Sequence, residues 1–401
     1  MNNNTSGDTT ILLGEADKSI LFTTVRPNVI MDRGKGMYLW DTERKKYLDF
    51  MGGWAVTCLG HCPDVITKAL ERQSRELVNA SPAFFNKPMI EFAKLLTDCS
   101  VFERVFFASS GAEANEGAIK LARKYGSKHL GGAYEIITTV NSFHGRTLAT
   151  MSACGKEKWR NLFEPKVPGF RHVPYNDFDS MKTAINSNTC AIMIEPVQGE
   201  GGVFEAEEAY ITKLRKLCDD AGIMLILDEI QTGIGRTGKL FAYQHYGIEP
   251  DVMTLGKGIG GGFPLAALLT KEKFNIFDAG DQGGTYSSQP LGMAVGLAVV
   301  NEIIEKNICD NANVQGKYLL EQLNDIKSEY GLKNIRGKGL LIAFDLPINK
   351  GGEVVSACLN EGLLVNSPQP ATIRLMPPLI VSRTDIDNMI RMLSNVLARI
   401  L

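Results

Sequence analysis

Five short, largely apolar runs constrain this chain more than any other feature, because each one stops abruptly in small or polar residues. They are residues 104–108, 135–140, 191–195, 224–227 and 252–255, followed in turn by Ser109-Ser110-Gly111, Asn141-Ser142, Pro196-Val197-Gln198-Gly199, Asp228-Glu229 and Gly256-Lys257. Apolar runs of this length without alternation read as strands buried on both faces. Stretches of helical character, residues 113–124 and 207–221, lie between some of them. The alternation predicts an α/β chain with a mostly parallel central sheet flanked by helices, and a ligand site at the carboxyl edge of that sheet.

The flanks of the chain read differently. Residues 36–41 and 46–50 spell a small hairpin, and helices are expected over 63–77 and from Pro88 onward. Beyond Pro290 come helices, then a strand at 339–344, a helix at 352–361, strands at 363–365 and 373–375, and a last helix over 384–400. This pattern predicts a smaller α+β domain built from the N- and C-terminal segments, with divisions at residues 1–62, 63–305 and 306–401.

Composition removes several function classes. A chain of 401 residues that is 44% hydrophobic can bury a large core. Its formal charge of −2, without long basic runs, leaves no electrostatic footprint for nucleic acid or an anionic membrane. No apolar run reaches the ~20 residues that span a bilayer, and the first ten residues lack the basic start and apolar core of a secretory signal. A soluble, cytoplasmic protein is expected. Eight cysteines without a CxxC pair fit reduced thiols. Cys58 and Cys62 flank Gly60-His61, but no second Cys/His group completes four ligands, so no metal is expected.

The chemistry begins at Lys257, a lysine held among glycines in Gly256-Lys257-Gly258-Ile259-Gly260-Gly261-Gly262. An amine that must reach a carbonyl carbon gains from backbone clearance and from a desolvated setting that lowers its pKa. A glycine-rich turn with a solvated lysine has the same spelling. Upstream, Asp228 ends a buried strand, either as the cap of a following helix or as an acidic partner for a pyridinium nitrogen. A nucleophilic lysine with such a partner suggests pyridoxal phosphate. Ser110, Gly111 and Ala112 lie in a tight loop between the first strand and the helix at 113–124, an arrangement that cradles a phosphate with free backbone N–H groups or simply caps a helix. Phe143, at the end of the second strand, can lie flat on a planar cofactor, and Arg146 can grip a carboxylate. Trp54, among the glycines of Gly52-Gly53-Trp54, marks either a ligand wall or an interdomain packing site. Gly233-Ile234-Gly235-Arg236-Thr237-Gly238 matches the spacing of a dinucleotide fingerprint, but neither a clear long helix nor a strand-end acid follows. A nicotinamide-dependent dehydrogenase is therefore the weaker alternative.

Taken together, Ser109-Ser110-Gly111-Ala112-Glu113-Ala114-Asn115-Glu116, Phe143-His144-Gly145-Arg146-Thr147, Glu195-Pro196-Val197-Gln198-Gly199-Glu200-Gly201-Gly202, Asp228-Glu229-Ile230-Gln231-Thr232-Gly233 and Gly256-Lys257-Gly258 resemble the motifs of class-III pyridoxal-phosphate aminotransferases. The order and spacing match across nearly the whole chain, with the closest likeness to acetylornithine aminotransferases. The resemblance implies a fold-type-I homodimer with shared active sites and pyridoxal 5'-phosphate as cofactor. It implies that Lys257 binds the cofactor covalently, Asp228 pairs with the ring nitrogen, Gln231 faces the ring hydroxyl, and Phe143 and Ile230 sandwich the ring. Gly111 and Ala112 would supply phosphate-binding amides, and Thr285 would reach the phosphate of the neighbouring subunit.

The same resemblance implies an ω-amino donor, N-acetylornithine foremost, and 2-oxoglutarate as acceptor, giving an aldehyde and glutamate. Arg374 would bind the α-carboxylate of glutamate and Arg146 the distal carboxylate, with Glu200 neutralising Arg374 while the ω-amine reacts. The chain departs from the family at Gly284 and Ser287-Ser288-Gln289-Pro290, and at Trp54 and Thr57 near the entrance. Ornithine, succinylornithine, 4-aminobutyrate or a pathway-specific amine thus stay open as donors.

Overall fold

The computed structural model describes residues 5–401. Three short strands, β1 (Met31–Lys35), β2 (Tyr38–Asp41) and β3 (Lys46–Asp49), form an antiparallel meander. Asp41 closes its second turn: Oδ1 accepts from the backbone N–H of Glu43 at 3.0 Å and Lys45 at 2.8 Å, while Oδ2 accepts from the Tyr47 hydroxyl at 2.7 Å. The meander is one strand longer than the sequence suggests.

The central sheet is built from β4 (Arg104–Ala108), β5 (Glu135–Thr139), β6 (Phe170–Val173) and β7 (Thr189–Ile194). A two-residue hairpin of β8 (Val197–Gln198) and β9 (Phe204–Glu205) follows outside it. The sheet is then completed by β10 (Met224–Asp228), β11 (Val252–Leu255) and β12 (Ala266–Thr270). The seven strands lie in the order β4-β12-β11-β10-β7-β5-β6. Strand β12 runs antiparallel to β11 and β4, and the remaining pairs are parallel. Every residue of β7, β10, β11 and β12 is buried, which explains their largely apolar spelling. Side chains alternate between two cores. Ile192, Ile194, Leu225 and Leu227 enter one, and Ala191, Met193, Met224 and Ile226 the other.

The helix Gly111–His129 packs on β11 and β12 and fills the second core with Ala118, Ile119 and Ala122. It begins before the expected residue 113 because Ser110 caps it. The Ser110 hydroxyl accepts from Glu113 N–H while the Glu113 carboxylate accepts from Ser110 N–H, a reciprocal capping box. Glu208–Ala221 packs on β10, and Asp64–Glu76 and Lys87–Asp98 pack on Pro290–Glu305.

The C-terminal part adds β13 (Lys333–Lys338), β14 (Leu341–Asp345), β15 (Leu363–Leu364), β16 (Asn366–Gln369) and β17 (Thr372–Leu375). Four of these make an antiparallel sheet in the order β13-β14-β17-β16, and the helices Gly351–Glu361 and Arg383–Ile400 pack against each other beside it. Strand β15 instead pairs in parallel with β3, Leu363 opposite Leu48. The two ends of the chain therefore share one sheet.

Candidate active site

The carboxyl ends of β5, β7, β10 and β11 open onto a cavity of about 270 Å³. Its wall includes Lys257, Asp228, Gln231, Ile230, Phe143, Arg146 and Glu200, and the helix start at Gly111 and Ala112. Nine site residues read from the sequence thus meet in one place, and Arg374 lies directly behind Glu200. Backbone geometry explains part of this convergence. Lys257 stands in a short helical turn just past β11 with φ +47°, a left-handed conformation that the adjoining glycines make room for.

Asp228 is fixed before any ligand arrives. Its Oδ2 lies 2.7 Å from His144 Nδ1 and accepts from Asn115 Nδ2 at 2.8 Å, and its Oδ1 accepts from Ile230 N–H at 3.1 Å. Asn115 is itself held, donating to the His144 carbonyl at 2.7 Å and accepting from the Thr254 hydroxyl at 2.7 Å. Burial favours neutral His144, but the hydrogen bond and charge of Asp228, with the charge of Glu195, outweigh it and raise its pKa.

Lys257 is partly buried, and desolvation brings its amine down to about 8, against the opposing pull of Glu200. That makes the free amine accessible near neutral pH. Glu195 also lines the cavity. Burial pushes its carboxyl up to about 7, partly countered by His144, and it accepts from Phe143 N–H at 3.1 Å.

Arg374 is fully buried, and its guanidinium is shared among three acceptors. Nη2 donates to Glu200 Oε1 at 2.7 Å and to Asn366 Oδ1 at 2.7 Å, Nε donates to Asn366 Oδ1 at 3.0 Å, and Nη1 reaches Gln231 Oε1 at 3.5 Å. Burial works against the Glu200 charge, yet Arg374, Lys257 and Lys156 together hold its carboxyl below the ordinary range. Gly199 is required beside it, since a Cβ there would lie 1.5 Å from Gln231 Oε1.

Besides Arg374, three site residues read from the sequence do not line this cavity. The Ser110 hydroxyl is occupied in its helix cap. Trp54, exposed and with φ +63°, lines a second cavity of about 760 Å³ that also includes Arg146 and Asn366. Thr285 is exposed on the segment before the helix Pro290–Glu305. Conversely, the sequence reading gave no role to His144, Glu195 or Asn115, although all three stand inside its motifs, nor to Asn366 or Lys156. His61 is committed elsewhere, its Nε2 2.8 Å from Asp49 Oδ2, and among the described residues no group of three or more His, Cys, Asp or Glu side chains is placed to hold a metal. The glycine run at residues 233–238 is a turn whose buried Arg236 donates to the Leu340 carbonyl at 2.9 Å and the Pro377 carbonyl at 2.6 Å. Its role is to tie the C-terminal part to the sheet, which removes the basis for a dinucleotide reading.

The sequence profile of the aminotransferase class-III family matches residues 23–397. The chain belongs to the class-III aminotransferases. This aminotransferase is 50% identical to the acetylornithine aminotransferase of Ralstonia nicotianae over 387 residues, which covers 95% of this chain and 97% of that one. Among solved structures, it is similar to the ornithine aminotransferase of Toxoplasma gondii, with a TM-score of 0.92, 28% identity and coverage of 98% and 94% of the two chains. The acetylornithine aminotransferase of Elizabethkingia anophelis matches with a TM-score of 0.87, 28% identity and coverage of 98% and 99%. The fold expected from the resemblance is thus the fold of this class-III aminotransferase, mostly parallel sheet included.

Proposed function

We propose that this enzyme transfers the δ-amino group of N-acetylornithine to 2-oxoglutarate, using pyridoxal 5'-phosphate. One observation carries the reading. Beside Lys257 a buried arginine, Arg374, is masked by Glu200, while a second arginine, Arg146, lines the same cavity without an ion-pair partner among the described residues. Two substrates that must alternate in one site explain this asymmetry. Glutamate carries a carboxylate on its reacting carbon, whereas the reacting carbon of an ω-amine carries none.

The residues fit the cofactor. A Cβ at Gly111 would meet the Ile230 side chain at 2.8 Å, so that wall is bare backbone, at the start of a 19-residue helix whose N-terminus favours a phosphate. Gln231 Nε2 is buried without a partner, in a position suited to a ring hydroxyl. We assign Gly111 and Ala112 to the phosphate, Asp228 to the ring nitrogen, Phe143 and Ile230 to the two ring faces, and Lys257 to the covalent link. When bound, the cofactor supplies an aldehyde that takes up the amino group and an electron-poor ring that spreads the charge left by proton loss at the substrate carbon. Lys257 Nζ, with its depressed pKa, takes that proton and returns it on the other side of the reaction. Asp228, backed by His144 and Asn115, keeps its charge directed at the ring nitrogen throughout. Arg146 holds the carboxylate remote from the reacting carbon in both substrates. Glu200 masks Arg374 for the amine donor and releases it to bind the α-carboxylate of glutamate, avoiding an unpaired buried guanidinium.

The names borne by the relatives support N-acetylornithine as donor. So does the larger cavity beyond Arg146, whose Trp54, Met51 and Val365 give an acyl group an apolar place. We further infer a homodimer. Phe84, Phe85 and Tyr286 are 68%, 85% and 66% exposed, and Asn86 donates to the Ser288 carbonyl at 2.9 Å, so an apolar face adjoins the segment that carries Thr285. Thr285 then reaches the phosphate of the second copy. We retain the divisions at 1–62, 63–305 and 306–401, and a cytoplasmic location; among the described residues no helix is long and apolar enough to cross a membrane.

The deciding experiment follows the cofactor absorbance of purified enzyme as glutamate, N-acetylornithine, ornithine, succinylornithine or 4-aminobutyrate is added alone. Rapid loss of the band is expected with glutamate and N-acetylornithine. Loss with glutamate but with no member of the ω-amine set overturns the donor assignment, and absence of any cofactor band after adding pyridoxal phosphate overturns the whole reading.

A further inference from the structure

The Glu200 carboxylate has two ends, and only one is used by Arg374. Glu200 Oε2 faces Lys156 Nζ at 3.8 Å, too far for a hydrogen bond and close enough that a small side-chain rotation makes one. Lys156 is not a surface lysine that happens to be near. Its side chain is 12% exposed, and its ammonium lies 4.9 Å from the centroid of the Phe143 ring and 5.1 Å from that of Trp159. The same two rings carry the Arg146 guanidinium at 5.8 and 5.3 Å. Phe143 and Trp159 thus form one aromatic support with two cations on it, one directed to the substrate and the other to Glu200. Among the described residues, Glu200 is the one carboxylate within 4 Å of Lys156, and burial lowers the Lys156 pKa against the opposing pull of Glu200.

We propose that Lys156 is the second seat of Glu200, a positioning residue that receives the carboxylate when glutamate or 2-oxoglutarate takes Arg374. The inference rests on the reading of Glu200 as a mask for Arg374. A mask that moves aside carries its charge with it, and in this half-buried setting a carboxylate without a counter-ion strongly resists the move. Lys156 removes that resistance. It stabilises the open arrangement without touching either substrate, and so it sets how readily one site serves both of them.

The test separates the two half-reactions and adds a binding measurement. In Lys156→Met, the dissociation constant of 2-methylglutamate, which has the α-carboxylate but no α-proton to lose, is expected to rise about 5- to 20-fold by titration calorimetry on the holoenzyme. The rate constant for reaction with glutamate at low concentration should fall by a similar factor, while reaction with N-acetylornithine changes less than about twofold. Lys156→Arg should restore both glutamate values. In a Glu200→Gln background, Lys156→Met should add little, since there is no charge left to receive. Equal losses in both half-reactions, or an unchanged 2-methylglutamate constant, would falsify the role of Lys156. The Glu200→Gln enzyme alone tests the underlying reading: if it reacts with N-acetylornithine as fast as wild type, the mask itself is wrong, whatever Lys156 does.

Discussion

Lys257 stands where two opposing demands meet, since the proposed chemistry needs it uncharged and yet it faces three carboxylates, Glu200, Asp228 and Glu195, that favour its charge. Burial prevails and leaves the amine at about 8. Replacing it with alanine would remove the proposed proton carrier, and kcat should fall by roughly 10³- to 10⁴-fold while cofactor still binds noncovalently; steady-state turnover near wild type would exclude Lys257 from the chemistry. Glu195 offers a residue-scale test of a different kind. Burial pushes its carboxyl up to about 7 in the folded chain, above the ordinary 4.5, so between those values the native state holds a proton that the unfolded state has lost. Stability from this group is therefore full below about pH 4.5 and declines as pH rises through 7. The decline is on the order of 3 kcal/mol at 1.36 kcal/mol per unit. Glu195→Gln, which imitates the protonated form, should gain denaturation midpoint relative to wild type at pH 7.5 but not at pH 4.5 in cofactor-free protein. Parallel behaviour of the two at both pH values would show that Glu195 is ionised in the fold.

At the scale of elements, the turns after strands carry the site, and they are also what made it readable. Asp228, Gln231, Phe143, Arg146, Glu200 and Lys257 sit in short polar or glycine-rich stretches directly after apolar runs, where ordinary packing gives little reason for them. Asn366 and Asn115 were not readable, because one lies in a four-residue strand and the other in a helix interior, and only folding brings them to Arg374 and Asp228. Strand β6 was missed for a similar reason. Its four residues include Arg171 and His172, both exposed, so it lacks the apolar signature of its neighbours. Strand β12 has that signature, close behind the glycine run of Lys257, yet no strand was assigned to it from the sequence. The turn after β7 is tested by Gly199→Ala. Its new Cβ would force Gln231 aside, and with it the amide next to Arg374. The expected result is a loss of about 1–3 kcal/mol in stability from overpacking, seen in the thermal midpoint, with a fall in kcat/KM for both substrates. A variant with wild-type midpoint and kinetics would mean that this turn is softer than its contacts indicate.

For the whole molecule, the prediction concerns how copies combine. If Thr285 serves the site of the second copy, Lys257→Ala and Thr285→Ala subunits complement each other, because a mixed dimer has one site with both residues intact. Random mixing makes half the dimers mixed, so about a quarter of wild-type activity should appear on refolding the two inactive or weakened variants together. Activity that never exceeds the average of the separate variants would place Thr285 in its own subunit's business or in none. The sheet that joins β3 to β15 has a further consequence, for the way the chain is made. Leu48 leaves the ribosome early, but its neighbour Leu363 emerges more than three hundred residues later. Until then one edge of the meander β1-β2-β3 has no neighbour, and an open edge readily pairs with other chains. Synthesis therefore leaves the first meander waiting through nearly the whole of translation, and a chain cut short before residue 363 never closes that edge, which makes premature termination an aggregation hazard for this protein as well as a loss of enzyme.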